Sequence, residues 1–310
     1  MRVASIDIGT NTVLLLVAER AASGALRAVE EAATITRLGQ GVDESRTLAP
    51  EAIERTRACL ERYAEIVRRH RCRAVAVVGT SAMRDASGSE VLQQAVRDLF
   101  GVEAKVASGD EEARLTFEGA TSGLAVSPGD EACVFDIGGG STEVVLGEVG
   151  KGTPSFAQSF DVGSVRLTER HIEADPPTEM EIANVRRAAE FALAPIAKLK
   201  PATAPIGIAG TVTTLAAVSL RLVPYDGAKV HGHRMTRAEI ERVVMDLARK
   251  PLAERKAVPG LEPKRADVIV AGGLIVLAVL TLLEKDQIVV SDRGVRWGLA
   301  EQLLREHGKR

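Results

Sequence analysis

Aromatic residues and cysteines are scarce in this chain of 310 residues. With only six Phe, two Tyr and one Trp, it has no aromatic-studded basic patch on which nucleic-acid bases could stack. Its net charge of −2 gives no overall attraction for a polyanion. The three cysteines, Cys59, Cys72 and Cys133, are odd in number and lack metal-ligand spacing, so we expect buried thiols rather than disulfides or zinc. These absences predict a cytoplasmic protein with no nucleic-acid partner.

Residues 268–283 form an uncharged apolar run that could be either a membrane span or a buried helix. It is shorter than the roughly 20 residues that a bilayer core requires, and Gly272 and Gly273 near its start suit close helix packing. The first residues enter a strand-like segment directly, without the features of an export signal. A buried helix is therefore the prediction for this run, with a membrane span as the alternative.

Two segments of the chain resemble each other, Asp7–Leu16 and Asp136–Val145. Each begins with Asp-Ile-Gly, follows a short apolar run and leads into another, a pattern that predicts strand, tight turn and strand. The chain is therefore predicted to contain a duplicated hairpin.

The segments around these hairpins alternate between strand and helix patterns, which predicts an α/β fold. Two domains are expected, 1–126 and 127–310, because Ser, Pro and Gly cluster near the boundary. The last helix is a candidate for packing back on the first domain. The predicted helices cover 51–67, 90–100, 178–199, 211–222, 237–250, 264–283 and a stretch from 295, and the predicted strands 74–78, 103–107, 155–160, 206–209 and 288–290.

The second turn has the composition of an anion-binding loop. Gly138, Gly139 and Gly140 lack a Cβ, so their backbone amides can converge on an anion and let it approach closely. Ser141 and Thr142 add hydroxyl donors. A plain hairpin turn is the alternative, and it is weakened by the presence of two matching copies.

Carboxylates stand beside both turns. Asp7 and Asp136 lie at predicted strand ends, and Glu143 lies across the second turn, so these oxygens are candidate ligands for Mg²⁺ that neutralises phosphate charge. A surface role for Glu143 is the alternative. Asp7 as a phosphorylated nucleophile is disfavoured, because residue 9 is glycine and the Asp-x-Asp pattern of such phosphatases is absent.

Two neighbouring glutamates begin a predicted helix after Ser108. The Ser108-x-x-Glu111 spacing is that of a capping box, in which Glu111 reaches back to the Ser108 amide. Glu112 then remains available for chemistry. The alternative is that both are first-turn glutamates that interact with the helix dipole.

The duplicated turn resembles the signature of the actin, hexokinase and Hsp70 (ribonuclease H-like) superfold. The segments Gly79–Ala86 and Ser108–Arg114 resemble the Gly-Thr-x-x-x-Arg and Ser-Gly-x-Glu-Glu-Ala-Arg elements of the Ppx/GppA family, which comprises exopolyphosphatases and guanosine pentaphosphate phosphohydrolases. Asp161–Glu169, Val230–Gly232 and Ser291–Gly298 extend the resemblance over nearly the full chain.

The resemblance implies two α/β domains whose hairpins face a central cleft. It implies hydrolysis of terminal phosphates from polyphosphate with Mg²⁺, by a water that Glu112 activates and with Arg84 at the transferring phosphate. Short chains are the expectation, since the extra C-terminal domains of longer members are missing here. The alternatives are guanosine pentaphosphate (pppGpp) hydrolysis, a non-catalytic polyphosphate or alarmone sensor, and an ATP-dependent kinase of the same superfold.

The remaining expected site residues follow from the same motifs. Arg37, Arg166, Arg265 and Arg293 are weaker candidates for the site, and a metal role for His231 and His233 is disfavoured because no third ligand is spaced to join them. A homodimer is the default expectation. The substrate-binding candidates are Gly9, Thr10, Asn11, Thr80, Ser81, Gly138, Gly139, Gly140, Ser141, Thr142, Gly210 and Thr211.

Overall fold

The computed structural model describes residues 1–22, 24–151 and 154–307, and the chain divides into two compact units. Unit 1 comprises Met1–Gly123 together with the segment from Gly294 onward, and unit 2 comprises Leu124–Arg293. The sequence-based division ran the second domain to residue 310, whereas the structure assigns the segment from Gly294 to unit 1; residues 308–310 lie outside the described part.

Unit 1 contains a five-stranded sheet with the order β3-β2-β1-β4-β5. The first three strands form an antiparallel meander, and β4 and β5 are parallel to β1. Its strands are β1 Arg2–Ile8, β2 Thr12–Arg20, β3 Leu26–Ile35, β4 Ala74–Gly79 and β5 Ala104–Val106. Its first helices are α1 Val42–Ser45, α2 Pro50–Arg69, α3 Ser81–Asp85, α4 Glu90–Phe100 and α5 Gly109–Thr121.

Unit 2 contains a six-stranded sheet with the order β10-β11-β9-β6-β7-β8. Its strands are β6 Glu131–Ile137, β7 Thr142–Glu148, β8 Phe156–Phe160, β9 Ile206–Ile208, β10 Arg234–Thr236 and β11 Gln287–Val290. Its helices are α6 Ser164–His171, α7 Glu179–Leu193, α8 Ala209–Ser219, α9 Gly227–Val230, α10 Arg237–Ala248, α11 Leu252–Arg255 and α12 Ile269–Leu282, with 3₁₀ turns at Ala194–Lys198 and Pro263–Arg265. The last helix, α13 Val295–His307, belongs to unit 1.

The two sheets share one topology. In each, a three-stranded antiparallel meander is followed by strands parallel to the first, so that β6, β7, β8, β9 and β11 repeat the arrangement of β1 to β5. The duplicated hairpins predicted from sequence are β1–β2 and β6–β7, which end at the pairs Ile8↔Val13 and Ile137↔Thr142. The predicted α/β fold class and the duplicated hairpin are confirmed, and the repeat of the whole sheet goes beyond the prediction.

The central strands of unit 1 are apolar on both faces, as is typical of a sheet covered on both sides. Ile6 and Ile8 on β1 pack in the core that α2 and α4 complete. Val3 on the opposite face packs against Trp297 and Leu304 of α13. A helix from the end of the chain therefore covers a sheet built from its beginning.

The apolar run predicted as a buried helix is α12, with 14 residues. Each residue from Ile269 to Leu280 is buried, and a Cβ at Gly273 would overlap the Val244 side chain of α10. Close helix packing thus explains the glycines, and the buried-helix prediction is confirmed. Within residues 1–22, 24–151 and 154–307, no helix is long and apolar enough to cross a membrane.

The three cysteines are free thiols, as the sequence predicts. Cys59 and Cys133 are buried, and Cys72 is partly buried. Burial raises the pKa of the Cys133 thiol to about 12 and also raises the pKa of Cys72. Both groups are therefore protonated at neutral pH and are poor nucleophiles.

Candidate active site

Three loops of unit 1 begin side by side at the carboxyl edge of its sheet. The parallel strands β1, β4 and β5 end in register at Ile8, Gly79 and Val106. The amide of Thr80 donates to the Ile8 carbonyl at 3.2 Å, and that of Ala107 donates to the Gly79 carbonyl at 3.0 Å. In parallel α/β sheets ligands bind at this edge, so unit 1 presents its polar residues where a substrate is expected.

The first turn is tied to its neighbours through its carbonyl oxygens. The Thr10 carbonyl accepts from the Gly39 amide at 2.8 Å, and the Asn11 carbonyl accepts from the Arg37 amide at 3.0 Å. The Thr10 hydroxyl lies 2.7 Å from that of Ser81. The structure therefore brings Thr10 and Ser81, two predicted substrate-binding residues, into direct contact.

Glu112 and Arg84 form an ion pair at the same edge. Arg84 Nη1 donates to Glu112 Oε2 at 3.1 Å and to the Ala107 carbonyl at 3.2 Å, while Arg84 Nε donates to Asp85 at 3.3 Å. Glu112 is 7% exposed. Burial lowers the pKa of Arg84, but Glu112 and Asp85 outweigh that effect and raise it. The guanidinium is thus permanently charged and fixes the orientation of the buried carboxylate.

The predicted capping box at α5 is only half present. The Ser108 side chain accepts from the Glu111 amide at 3.3 Å, as an N-cap does. The Glu111 carboxylate pairs with Lys105 on β5 instead of returning to the Ser108 amide. The prediction for Glu111 was wrong, because a cation on the neighbouring strand attracts the carboxylate more strongly than a neutral amide does. Glu111 is thus engaged with Lys105, and Glu112 is engaged with Arg84.

The glycine turn of unit 2 directs its carbonyl oxygens into the protein. The Gly138 carbonyl accepts from the Ser164 amide at 3.0 Å, and the Gly139 carbonyl accepts from Val165 at 2.9 Å. The Gly140 carbonyl accepts from Arg166 Nε at 2.8 Å.

Two amides of this turn are available to donate to an anion. In the described part of the chain, no hydrogen bond uses the amides of Gly139 and Gly140. Two successive unsatisfied N–H groups in a turn form a concavity that suits an anion. Ser141 and Thr142 follow, but Thr142 is fully buried and its hydroxyl donates to the Val162 carbonyl at 2.6 Å.

Asp136 and Glu143 lie directly opposite each other on β6 and β7. Opposed residues of an antiparallel pair project from the same face, so two carboxylates stand side by side. Glu143 is 3% exposed and accepts from the Ser159 hydroxyl at 2.7 Å. In the first hairpin the residue opposite Asp7 is Leu14. Of the two hairpins, the second therefore has a carboxylate pair at this position and the first does not.

Among the described residues, no group of three or more His, Cys, Asp or Glu is arranged to hold a metal ion. Of the three predicted metal ligands, Asp136 and Glu143 are opposed in unit 2, and Asp7 lies near the end of β1 in unit 1. His231 lies 3.3 Å from the Ser291 hydroxyl through Nδ1.

Gly210 and Thr211 lie at the start of α8, where β9 ends beside β6. Ala209 holds a positive φ of 65°, an uncommon conformation for a residue with a Cβ, and such strain is concentrated at functional sites. The guanidinium of Arg265 lies against Gly210 with no room for a Cβ, and burial lowers its pKa. Arg265, a weaker candidate from sequence, thus contacts a predicted substrate-binding residue.

A family model described as the Ppx/GppA phosphatase family matches residues 16–307. The chain belongs to this family. It is accordingly an enzyme, a phosphatase, and the resemblance drawn from the two motifs of unit 1 and the repeated turn is confirmed.

Relatives with different printed names match almost the whole chain. Exopolyphosphatase 2 of Mycobacterium tuberculosis is 40% identical over 97% of this chain and 98% of its own length. The crystal structure of the Aquifex aeolicus Ppx/GppA family member has a TM-score of 0.81 and 36% identity, covering 99% of both chains. The guanosine-5'-triphosphate,3'-diphosphate pyrophosphatase of Vibrio atlanticus is 30% identical over 98% of this chain and 59% of its own.

Two glycines that shape the turns were missed by sequence reasoning. A Cβ at Gly163 would overlap the Gly139 carbonyl, and one at Gly39 would overlap the Thr10 side chain. The segment containing Gly163 was noted only as part of the family resemblance. Gly163 directly precedes α6, and the first amides of α6 donate to the carbonyls of the glycine turn. A glycine directly before a predicted helix is the sequence signal that could have identified it.

Proposed function

We propose that this phosphatase is an exopolyphosphatase, which hydrolyses the terminal phosphoanhydride bond of inorganic polyphosphate. The observation that carries the proposal is the buried Glu112 carboxylate, oriented by Arg84 at the carboxyl edge of unit 1. The printed name of the 40% identical relative supports the same substrate class.

Glu112 acts as the general base. It takes a proton from a water whose oxygen attacks the terminal phosphorus, and the bond from that phosphorus to the bridging oxygen breaks. Orthophosphate is released and the shortened chain keeps the bridging oxygen. Charge accumulates on the phosphoryl oxygens during transfer, and Arg84 stabilises it together with backbone amides. The amides of Gly139 and Gly140 are the proposed phosphate-binding donors of unit 2.

Asp136 and Glu143 are the proposed magnesium ligands. Two carboxylates opposed on one face can offer oxygen ligands to one ion, and oxygen ligands are those that a hard divalent cation prefers. Magnesium bound there would neutralise phosphate charge. Asp7 is a further carboxylate at the same position of the first hairpin.

Hydrolysis of guanosine pentaphosphate is the second candidate, because the Vibrio atlanticus relative bears that name. Both substrates end in a phosphoanhydride-linked phosphate, so the same base and donors serve either. The two differ in the guanosine part, which polyphosphate lacks.

The test compares phosphate release from short polyphosphate, long polyphosphate and guanosine pentaphosphate by the wild type, Glu112→Ala and Glu111→Ala. Removing a general base costs about 10²–10⁴-fold, so Glu112→Ala should lose that much of kcat while it folds normally. Glu111→Ala, the neighbour engaged by Lys105, is the matched control and should keep kcat.

Each outcome of this comparison has a definite meaning. A folded Glu112→Ala variant that releases phosphate at the wild-type rate contradicts the mechanism. A wild type that prefers guanosine pentaphosphate favours the second candidate. Tight binding of polyphosphate without any release of phosphate would instead indicate a sensor.

A further inference from the structure

The amino edge of the unit 1 sheet, at the opposite end from Glu112, carries a dense group of arginines. Helix α2 ends there and the chain turns into β4, with Arg71 at a positive φ of 52°. The Arg73 amide donates to the Arg2 carbonyl at 2.9 Å, which places the turn beside the start of β1. We define the basic edge as Arg2, Arg27, Arg68, Arg69, Arg71 and Arg73.

Strand register places the other arginines on the same face of the sheet. Arg2 and Arg27 both lie opposite Glu19, which accepts from each of them. Arg69 donates to Glu30 on β3 at 2.6 Å. Adjacent strands are about 4.8 Å apart, so the arginines from β3 to the start of β4 span about 15 Å.

The basic edge has more cations than its carboxylates neutralise. Its ion-pair partners are Glu19 and Glu30. Arg62 and Glu65, which precede Arg68 on α2, add one charge of each sign and so do not change the balance. Arg68, Arg71 and Arg73 are exposed, and no ion pair within the described residues uses them. In a chain of net charge −2, this local excess is the opposite of the overall balance.

A position in the last turn of a helix explains only part of this arrangement. The helix dipole favours cations there, which accounts for Arg68 and Arg69. Arg71 and Arg73 lie beyond the helix, and Arg2 and Arg27 come from strands, so the dipole gives no reason for them.

We propose that the basic edge is a second binding surface for long polyphosphate chains, remote from the hydrolytic site of unit 1. This proposal rests on the proposed function. Strand β1 has seven residues at about 3.3 Å each, so about 20 Å separate the basic edge from the loops at the carboxyl edge. Tripolyphosphate is too short to reach both, whereas a long chain can extend from one to the other. The basic edge would therefore favour long chains over the short ones expected from the sequence, and it leaves the chemistry unchanged.

The test variant is Arg68→Gln, Arg71→Gln and Arg73→Gln combined, since these side chains are exposed. KM for long-chain polyphosphate should rise about tenfold, with kcat/KM for tripolyphosphate unchanged. Each lost phosphate contact reduces the slope of log K against log salt concentration by roughly 0.7 for a flexible strand, so the slope should fall by about 2. Arg242→Gln, Arg249→Gln and Lys256→Gln combined, three exposed cations of unit 2, form the matched control and should change neither value.

An unchanged KM and salt slope for long chains, or an equal loss on tripolyphosphate, would overturn the proposal. Direct binding of labelled long-chain polyphosphate to both triple variants separates this surface from the enzyme's activity, because binding is measured even if no phosphate is released. Weaker binding by the Arg68, Arg71 and Arg73 variant is the expected result. If that variant loses affinity for single-stranded RNA while its affinity for polyphosphate is unchanged, the surface serves nucleic acid and the proposal is wrong.

Discussion

At the scale of single residues, the role of Glu143 depends on what stands across the strand from it. Asp136 and Glu143 are opposed in unit 2, whereas Asp7 and Leu14 occupy the same positions in unit 1. Like charges directly opposite each other on a sheet repel, and a cation bound between Asp136 and Glu143 would relieve that repulsion. The opposed carboxylates are therefore a reason to propose a cation-binding role.

The first prediction concerns this pair. Glu143→Gln keeps the shape and the Ser159 contact but removes one charge, so the magnesium concentration for half-maximal activity should rise about tenfold or more. Without magnesium, the variant should be at least as stable to urea as the wild type, because the repulsion is gone. Magnesium titration of phosphate release and urea unfolding measure the two effects.

The control lies on the same strand. Glu148→Gln changes the same charge at a residue that pairs with Lys151 near the end of β7, and it should leave the magnesium requirement unchanged. A Glu143→Gln variant that loses activity with an unaltered magnesium requirement would contradict the ligand role.

Residue roles were predictable where a motif fixed them and unpredictable where a contact from elsewhere did. Arg84 and Glu112 were both singled out from sequence, and the structure pairs them at 3.1 Å. The role of Glu111 depended on Lys105, and the spacing Ser108-x-x-Glu111 contains no information about that strand. The similarity of the two turns revealed that the hairpin is duplicated. It did not reveal that α6 binds the carbonyls of the second turn.

At the scale of elements, α7 shows a complete capping box. Thr178 accepts from the Glu181 amide at 3.3 Å, and Glu181 accepts from the Thr178 amide at 2.7 Å. The amides of Thr178, Ala174 and Glu173 lower the pKa of Glu181 from its ordinary 4.5 to about 2. The ionised carboxylate therefore joins the start of α7 to the preceding loop.

The second prediction follows from the sign of that shift. A carboxyl whose pKa is lower in the folded state stabilises above its unfolded pKa, and the contribution is lost as the pH falls from about 4.5 towards about 2. Glu181→Gln should therefore lower Tm at pH 7, with the difference from wild type shrinking across that window. Glu179→Gln, in the same first turn, should show little difference. A Tm difference that does not change with pH would contradict the charge-based explanation.

Element bounds were predictable where local signals marked them. Helix α4 has the predicted bounds, Glu90–Phe100, and Gly101 ends it at a positive φ of 69°. The predicted 178–199 helix instead ends at Leu193, where Pro195 is accommodated by a 3₁₀ turn. Strand β3 had no prediction, because its half-buried residues do not alternate between apolar and polar.

At the scale of the whole molecule, the end of the chain completes the unit built from its beginning. Helix α13 lies after unit 2 in sequence, yet Trp297 and Leu304 pack on Val3 and Leu16 in unit 1. Periodicity predicts this closing helix, and the sequence also made it a candidate for packing on the first domain, although no local signal connects residues about 290 positions apart. A division of the sequence at a single linker therefore cannot describe unit 1, which is built from two separate segments of the chain.

The last prediction uses the single tryptophan as a reporter of unit 1. Trp297 is 4% exposed and is the only Trp in the chain, so its fluorescence follows the core in which α13 packs. Leu304 is buried in the same cluster, and a buried Leu→Ala change costs about 2–5 kcal/mol through lost burial and the cavity left behind. Leu304→Ala should therefore move the urea midpoint of Trp fluorescence downward. Glu306→Ala, exposed on the same helix, should stay within about 0.5 kcal/mol of the wild type. An unshifted midpoint in Leu304→Ala would mean that α13 contributes little to the stability of unit 1.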